Sequence, residues 1–307
     1  MNAPHSHSGY SICIPIFNQD VDVLVRELHR QAITLNLPFE ILLMDDCSQL
    51  HKEKNRLLQE LPFIHYTELP QNIGRSAIRN ALAEKAQYST LIIMDCDALV
   101  TTPLYIQNYL EHREEPVVIG GCQYPETPPQ DPNQLLRWVY GKAREERSAA
   151  MRNQNPHRSF TPFNLMIQKE VLLSVRFDES FRGYGHEDTL LGWQLQKAGI
   201  PILHIDNPLI HNHQDNSETF LKKTEEATYN LWKIHDKMGQ EKASFAQEVK
   251  SLKYFIQLQK FHLTALTSQC ISLCQKQIVN NLLSKHPHIR LLDLLKILWL
   301  CKAAKEA

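Results

Sequence analysis

Short apolar runs alternate with stretches of helical periodicity along the first two-thirds of the chain. The run 11–17 (SICIPIF) predicts a strand. Residues 20–35 predict an amphipathic helix through Val21, Leu24, Val25, Leu28 and Ala32. The unbroken apolar run 39–44 (FEILLM) predicts a strand covered on both faces. A short helix over 52–61, a strand over 64–68, a helix over 76–86 and a strand over 90–94 (TLIIM) complete a β-α-β-α-β-α-β order. That order predicts a mostly parallel, Rossmann-like sheet flanked by helices. Pro103 is placed to open another helix, and 116–121 (PVVIGG) predicts another strand. The proline-rich segment 125–132 predicts a loop and 135–151 a helix. Residues 152–162 read as an irregular segment of the kind that binds substrate or forms a lid. A strand over 163–167 and a helix over 189–198, closed by Gly199, follow.

After about Asn216 the alternation stops, and 218–237 and 240–284 predict long helices. A turn at His286-Pro287-His288 precedes 291–301 (LLDLLKILWLC), which is strongly apolar with lysines at its edge. Two readings fit that last segment: a helix packed on the main domain or on a partner subunit, and an amphipathic helix docking on a membrane surface or partner. The predicted organisation is an α/β domain over 1–235 and a helical C-terminal extension over 236–307, with no internal repeat or low-complexity tract.

Composition narrows the picture. The 307 residues suffice for one large domain with an appendage, and the formal net charge of −1 predicts no nucleic-acid partner. No run approaches the roughly 18 apolar residues that span a bilayer. The start, MNAPHSHSGY, lacks the basic patch and apolar core of a secretory signal. The seven cysteines are scattered and odd in number, which argues against a disulfide framework and for a reducing cytosol. Cys270 and Cys274 stand four apart on a predicted helix, without the two further ligands a metal site needs. The expected location is cytoplasmic, with peripheral contact to the inner face of a membrane left open through the C-terminal helices.

The candidate chemistry lies at predicted strand ends. Asp95-Cys96-Asp97 directly follows TLIIM, and open parallel sheets bind ligands outside the carboxyl ends of their strands. Two carboxylates there repel one another unless a hard divalent cation joins them, and such a cation can bridge to a diphosphate. The bland alternative is an acidic turn. The second strand ends in Asp45-Asp46-Cys47-Ser48. A carboxylate there can accept from a base N–H or ribose hydroxyls, or Asp46 or Ser48 can cap the next helix. The first strand ends in Pro15-Ile16-Phe17-Asn18, which adds an aromatic ring and an amide. In Asn72-Ile73-Gly74-Arg75-Ser76-Ala77-Ile78-Arg79-Asn80, Gly74 permits a tight turn, and Arg75 and Arg79 share a helix face. Either arginine can reach diphosphate oxygens. Arg79 can equally pair with Asp45 or Asp95.

Further on, Gly183-Tyr184-Gly185-His186 leads into Glu187-Asp188 at a predicted helix start. Acids there suit the helix dipole. The shaped, glycine-bracketed loop before them points to a general base for an attacking hydroxyl. In Asn207-Pro208-Leu209-Ile210-His211-Asn212-His213, a neutral imidazole can complete a metal shell begun by Asp97, with His211 preferred over His213.

Together, SICIPIFN, LLMDDCSQ, QNIGRSAIRNALAEKA, LIIMDCDALV, FRGYGHEDTLLGWQL and NPLIH resemble the family 2 glycosyltransferases of GT-A fold, over about Tyr10 to Leu231. The GYGHED stretch is also similar to the acceptor-side motif of chondroitin polymerases and β-1,4-galactosyltransferases. The resemblance implies an inverting transfer from a nucleotide-sugar, UDP-linked, to a hydroxyl of a glycan or lipid-linked glycan, with Mn2+ or Mg2+. It implies that Pro15, Phe17 and Asn18 line the base and ribose pocket, that Asp46 holds the nucleoside, and that Arg75 and Arg79 sit near the diphosphate. By the same resemblance Asp95 contacts ribose or metal, and Asp97 and His211 bind metal. Asp188 is the base, and Glu187 binds sugar or acceptor. The chain departs from the pattern at His186, where relatives carry glycine, and at Thr189, where some carry a further acid.

Two other function classes share some of these features. A nucleotide-sugar nucleotidyltransferase uses a similar sheet but begins with a glycine-rich phosphate loop, whereas the first loop here is Phe17-Asn18-Gln19-Asp20. A non-catalytic partner in glycan assembly has no need of the acids and histidine retained here.

Overall fold

The computed structural model describes residues 9–181, 183–212 and 215–306. Its strands are β1 (Tyr10–Ile16), β2 (Phe39–Asp45), β3 (Ile64–Glu68), β4 (Thr90–Met94), β5 (Ala98–Leu99), β6 (Val117–Ile119), β7 (Cys122–Gln123), β8 (Asn164–Gln168), β9 (Leu203–His204) and β10 (Leu209–His211). Seven of them form one sheet in the order β3-β2-β1-β4-β8-β6-β9, and β5-β10-β7 form a second, small sheet.

Within the large sheet β1 pairs in parallel with β2 and β4, and β2 with β3. Strands β1, β2 and β4 are buried along almost their whole length, so their sequences read as unbroken apolar runs. The predicted parallel sheet is present with one amendment: β8 inserts antiparallel between β4 and β6. The chain runs outward from β1 through β2 to β3, then returns to the other side of β1 as β4. Strand order thus reverses between β1 and β4, and ligands in open α/β sheets bind at the carboxyl ends that flank such a reversal. Helices Asp22–Thr34 and Arg75–Lys85 match the predicted spans closely. The helix after Pro103 begins only at Tyr105.

Two predicted helices are broken. The helix over 135–151 is α-helical over Leu135–Tyr140, widens into a π-turn over Gly141–Glu145, and resumes as a short turn over Ala149–Arg152 capped by the Ser148 hydroxyl. The break delivers Arg152 to a buried position. There its guanidinium donates to the carbonyls of Arg147, Ile119, Gly120 and Ile205 and contacts His204 Nδ1. The single helix predicted over 240–284 is three: Lys242–Phe245, Lys250–Lys260 and Thr264–Leu282. A turn through His262, at φ 56°, separates the last two. It lets both helices turn their apolar residues inward: Leu252 and Phe255 from one, Ile271, Ile278 and Leu282 from the other.

The described chain forms two compact units. The first comprises residues 9–125, 146–179 and 194–212 and holds both sheets. Its core gathers Ile12, Ile14, Leu28, Ile41, Leu43, Ile92 and Met94 with Tyr105 and Tyr109. The second comprises 126–145, 180–193 and the chain from 215 onward. Its long helices are Ser217–Lys237 and Ile289–Glu306. Leu292, Leu295, Leu298 and Trp299 of the latter cluster with Leu136, Phe220, Ile271 and Leu282. The apolar run 291–301 therefore fills the interior of this unit. Among the described residues no helix is long and apolar enough to cross a membrane.

Candidate active site

Three strand ends are tied together by hydrogen bonds in the first unit. Asn18 adopts a left-handed backbone at φ 52°, which short amide side chains tolerate. Its N–H donates to Ser48 Oγ at 2.8 Å, and its Oδ1 accepts from the N–H groups of Gln49 and Leu50 at 2.7 and 3.1 Å. Asn18 thus splices the loop after β1 onto the loop after β2. Asp45 is fully buried and accepts from Ser48 N–H and the Tyr66 hydroxyl. Asp46 does not cap the short helix that follows β2. Its two oxygens accept from Ile73 and Gly74 N–H, at 2.7 and 3.0 Å, and hold the turn into helix Arg75–Lys85. Pro15 is half-buried, while Phe17 leaves 52% of its surface exposed at the rim.

The turn after β4 lies beside that of β1, since the Phe17 N–H bonds the Cys96 sulfur. Burial and the adjacent Asp97 and Asp95 charges push the Cys96 thiol up to about 12. Of the two partners expected for Arg79, Asp95 is the one found: the guanidinium donates to Asp95 Oδ1 at 2.7 Å. It also lies 5.4 Å over the Phe177 ring. Asn80 fixes this register by bonding Phe177 through both its amide oxygen and nitrogen. Burial opposes charge on Asp95, but Arg79, then Arg75, and then the Arg79 hydrogen bond and His211 outweigh it and hold the carboxyl below the usual range. That contribution to stability is present above the usual carboxylate range and is lost as pH falls through the lowered value.

Arg79→Leu is expected to destabilise the fold by about 3 kcal/mol. This is the low end for breaking a buried pair, because the Asp95 side chain keeps 29% exposure while Arg79 has 3%. Denaturant titration measures the loss, and the acid-side fall in stability due to this pair should shrink in the variant.

His211 reaches Asp97 through the small sheet. Antiparallel pairing of β10 with β5 sets His211 opposite Ala98. His211 Nε2 then lies 3.5 Å from Asp97 Oδ2. The imidazole stands between the rings of Tyr124 and Phe163, at 5.5 and 5.4 Å with near-parallel planes. Asp97 Oδ1 and His211 Nδ1 are buried with no hydrogen-bond partner among the described residues. Unpartnered buried polar atoms are costly; a cation on the Asp97 carboxylate would relieve the cost at Oδ1, whereas His211 Nδ1 lies across the ring from the Nε2 that faces Asp97. The 3.5 Å gap is long for a hydrogen bond and suits two donors on one hard cation, whose ligand distances are about 2.1 Å. Among the described residues no group of three or more His, Cys, Asp or Glu is gathered to hold a metal. The pair therefore fits a cation completed by phosphate oxygens and water. His213 lies outside the described residues.

In the second unit, the loop Gly183-Tyr184-Gly185-His186 is bound to helix Ser217–Lys237. Tyr184 N–H donates to Glu226 Oε1 at 2.9 Å, and Asn230 Nδ2 donates to Tyr184 O at 3.0 Å. Gly185 has φ 92°, and a Cβ there would stand 2.5 Å from the Ala227 Cβ. Arg182 lies outside the described residues. Glu187 and Asp188 occupy the first turn of helix Glu187–Lys197, and the Thr189 N–H donates to Asp188 Oδ1 at 2.6 Å. Burial, then the Lys296 charge, lowers the His186 pKa to about 4, so at neutral pH the ring is uncharged and contacts Thr189 Oγ1. Gly185→Ala is expected to cost about 2 kcal/mol, from a left-handed backbone and the Ala227 clash, read as a lowered melting temperature.

A nucleoside-side cluster, a carboxylate–imidazole pair beside a strand-order reversal and a separate acid-bearing loop now stand in order along one chain. The glycosyl transferase family 2 profile matches residues 11–174. The chain belongs to glycosyl transferase family 2. Within this family it is similar to a hyaluronan synthase of Pasteurella multocida, with 25% identity over 69% of this chain and 25% of that one. It is similar also to a chondroitin synthase of Pasteurella multocida (strain Pm70), with 27% identity over 67% of this chain and 25% of the relative. The chain thus spans about a quarter of the length of these relatives. A mannosyltransferase from Pyrobaculum calidifontis, solved with GDP-Man and Mn2+, superposes with a TM-score of 0.54 at 14% identity, over 96% of this chain and 87% of that one. The fold is GT-A, as the sequence motifs implied.

Some supporting residues of this family 2 domain carry no local signal. Tyr124 and Phe163, the rings around His211, come from distant loops. Asn164 is fully buried: its Oδ1 accepts from the Tyr105 and Tyr109 hydroxyls, and its Nδ2 donates to Gly121 O and Asn207 O. All four of its hydrogen-bonding positions are filled, which fixes the backbone leading into β7 and β10.

Proposed function

We propose that the chain is an inverting glycosyltransferase that moves a sugar from a nucleotide-sugar, UDP-linked, to a hydroxyl of a glycan or lipid-linked glycan, with Mn2+ or Mg2+ held by Asp97 and His211. The observation that carries this reading is the Asp97–His211 pair, with Nε2 3.5 Å from Oδ2 and Asp97 Oδ1 buried without a partner among the described residues, at the end of the strand that borders the reversal. The acceptor class rests on the likeness to hyaluronan and chondroitin synthases, and the uridine on the motif resemblance.

When bound, the cation supplies positive charge against the diphosphate and so favours its departure. Phe17 offers an exposed ring for the base. Pro15 and Asn18 border it, and the remaining lone pairs of Asp46 accept from the nucleoside. Arg79 holds Asp95 toward ribose or metal, and Arg75 adds positive charge near the diphosphate. Asp188 accepts the proton of the acceptor hydroxyl as that oxygen attacks the anomeric carbon opposite the departing nucleoside diphosphate. One C–O bond forms as the other breaks, configuration inverts, and no covalent enzyme intermediate arises. Glu187 binds the sugar or acceptor.

A thermal-shift screen of nucleotide-sugars with and without Mn2+ tests the donor. A ligand at 100 times its Kd stabilises by about 2.7 kcal/mol, so a UDP-sugar with Mn2+ should raise the melting temperature and a GDP-sugar should not. Equal shifts without metal would overturn the metal assignment.

A further inference from the structure

The second unit carries a surface that the proposed chemistry does not use. Between Glu248 and Asp293 there is no acidic residue, while Lys250, Lys253, Lys260, Lys276, Lys285 and Arg290 place six cations there in a chain of formal net charge −1. All six are exposed, and among the described residues none forms an ion pair with a carboxylate. An ordinary solvated surface mixes both signs.

Large apolar side chains stand exposed on the same elements: Tyr254, Phe261, Leu263, Leu266 and Leu273, with Phe261 at 67% and Leu273 at 76%. They are arranged in stripes. Helix Lys250–Lys260 buries Leu252 and Phe255 and exposes Lys253, Tyr254, Gln257 and Lys260. Helix Thr264–Leu282 buries Ile271, Ile278 and Leu282 and exposes Leu266, Cys270, Leu273 and Gln277. Spacings of three and four put each exposed set on one helix face. Both helices pack on helix Ile289–Glu306, so the exposed stripes are the faces turned from it. At the turn between them Phe261, His262 and Leu263 are exposed consecutively.

We propose that this helical hairpin, residues 250–282, is a docking surface for an anionic lipid bilayer. Phe261, Leu263 and Leu266 enter the headgroup region while the lysines meet the lipid charge. Aromatic and leucine side chains interleaved with lysines, without acids, match an interfacial surface in both its apolar and electrostatic terms. The proposal is independent of the donor and acceptor assignments.

The test is co-sedimentation of the full chain with phosphatidylcholine vesicles, with and without phosphatidylglycerol. Binding is expected only with phosphatidylglycerol and should weaken as salt is raised. A Lys250→Gln, Lys253→Gln, Lys260→Gln variant should bind more weakly by about fivefold for each lysine removed. A Phe261→Ser, Leu263→Ser, Leu266→Ser variant should lose binding. All six positions are exposed, so both variants should fold, with circular dichroism and donor affinity unchanged. Equal binding to both vesicle types, no binding to either, or wild-type binding by both variants would overturn the proposal. So would a vesicle-free dimer that the serine variant dissociates, since the face would then belong to a second copy.

Discussion

Asp188→Asn is expected to lower kcat for sugar transfer by about 10²–10⁴-fold while donor affinity stays within about twofold, because general-base catalysis contributes on that scale. The substitution is nearly isosteric. The amide oxygen still accepts from the Thr189 N–H that Asp188 Oδ1 engages at 2.6 Å, so the start of helix Glu187–Lys197 is preserved. What is removed is the capacity to take a proton. Steady-state transfer kinetics, with donor affinity from calorimetry, separate the two. Near-normal turnover would remove Asp188 from the role. A matching loss in Glu187→Gln with normal Asp188→Asn turnover would move the base one residue back.

Asp97→Ala and His211→Ala are each expected to weaken donor binding in Mn2+ by about 100-fold, with much less change when the metal is withheld. Each variant removes one of the protein donors proposed for the metal, and loss of charge stabilisation of several kcal/mol follows. Stability gives a second, independent readout. A residue kept for structure destabilises the fold when truncated. Here Asp97 Oδ1 and His211 Nδ1 are buried without partners among the described residues, so removing either residue relieves one unsatisfied group. Asp97→Ala should melt, metal-free, at or above the wild-type temperature, the usual trade between function and stability. Calorimetric titration with and without Mn2+ and a metal-free melting curve together decide it. Unchanged metal-dependent binding, or a fold that collapses, would assign Asp97 to structure.

Much of the first unit was legible because its central strands are buried on both faces. Burial makes β1, β2 and β4 unbroken apolar runs, and polar residues at their carboxyl ends then mark where the sheet opens to solvent. Helices with a clear apolar stripe, such as Asp22–Thr34, were equally plain. The predicted 240–284 helix failed for a reason of the same kind. Its periodicity signals helix but carries no glycine or proline to mark the turn, which His262 makes at φ 56°. The break exists because two faces must reach helix Ile289–Glu306, a demand set outside the segment. Asp46 shows the limit at a single side chain. Its residue type allows a helix cap or a ligand contact, and only the approach of Ile73 and Gly74 shows where its oxygens are directed.

Local sterics and periodic burial were enough to specify the α/β class, the carboxylates at the ends of β2 and β4, a tight turn at Gly74 and the acid pair opening helix Glu187–Lys197. Tertiary structure alone decided that Arg79 pairs with Asp95 rather than Asp45. It alone brought His211 to Asp97 between Tyr124 and Phe163. The strands responsible, β5 and β10, are two and three residues long. Segments that short have no periodicity to read, and their pairing is set by the packing of the whole sheet beneath them.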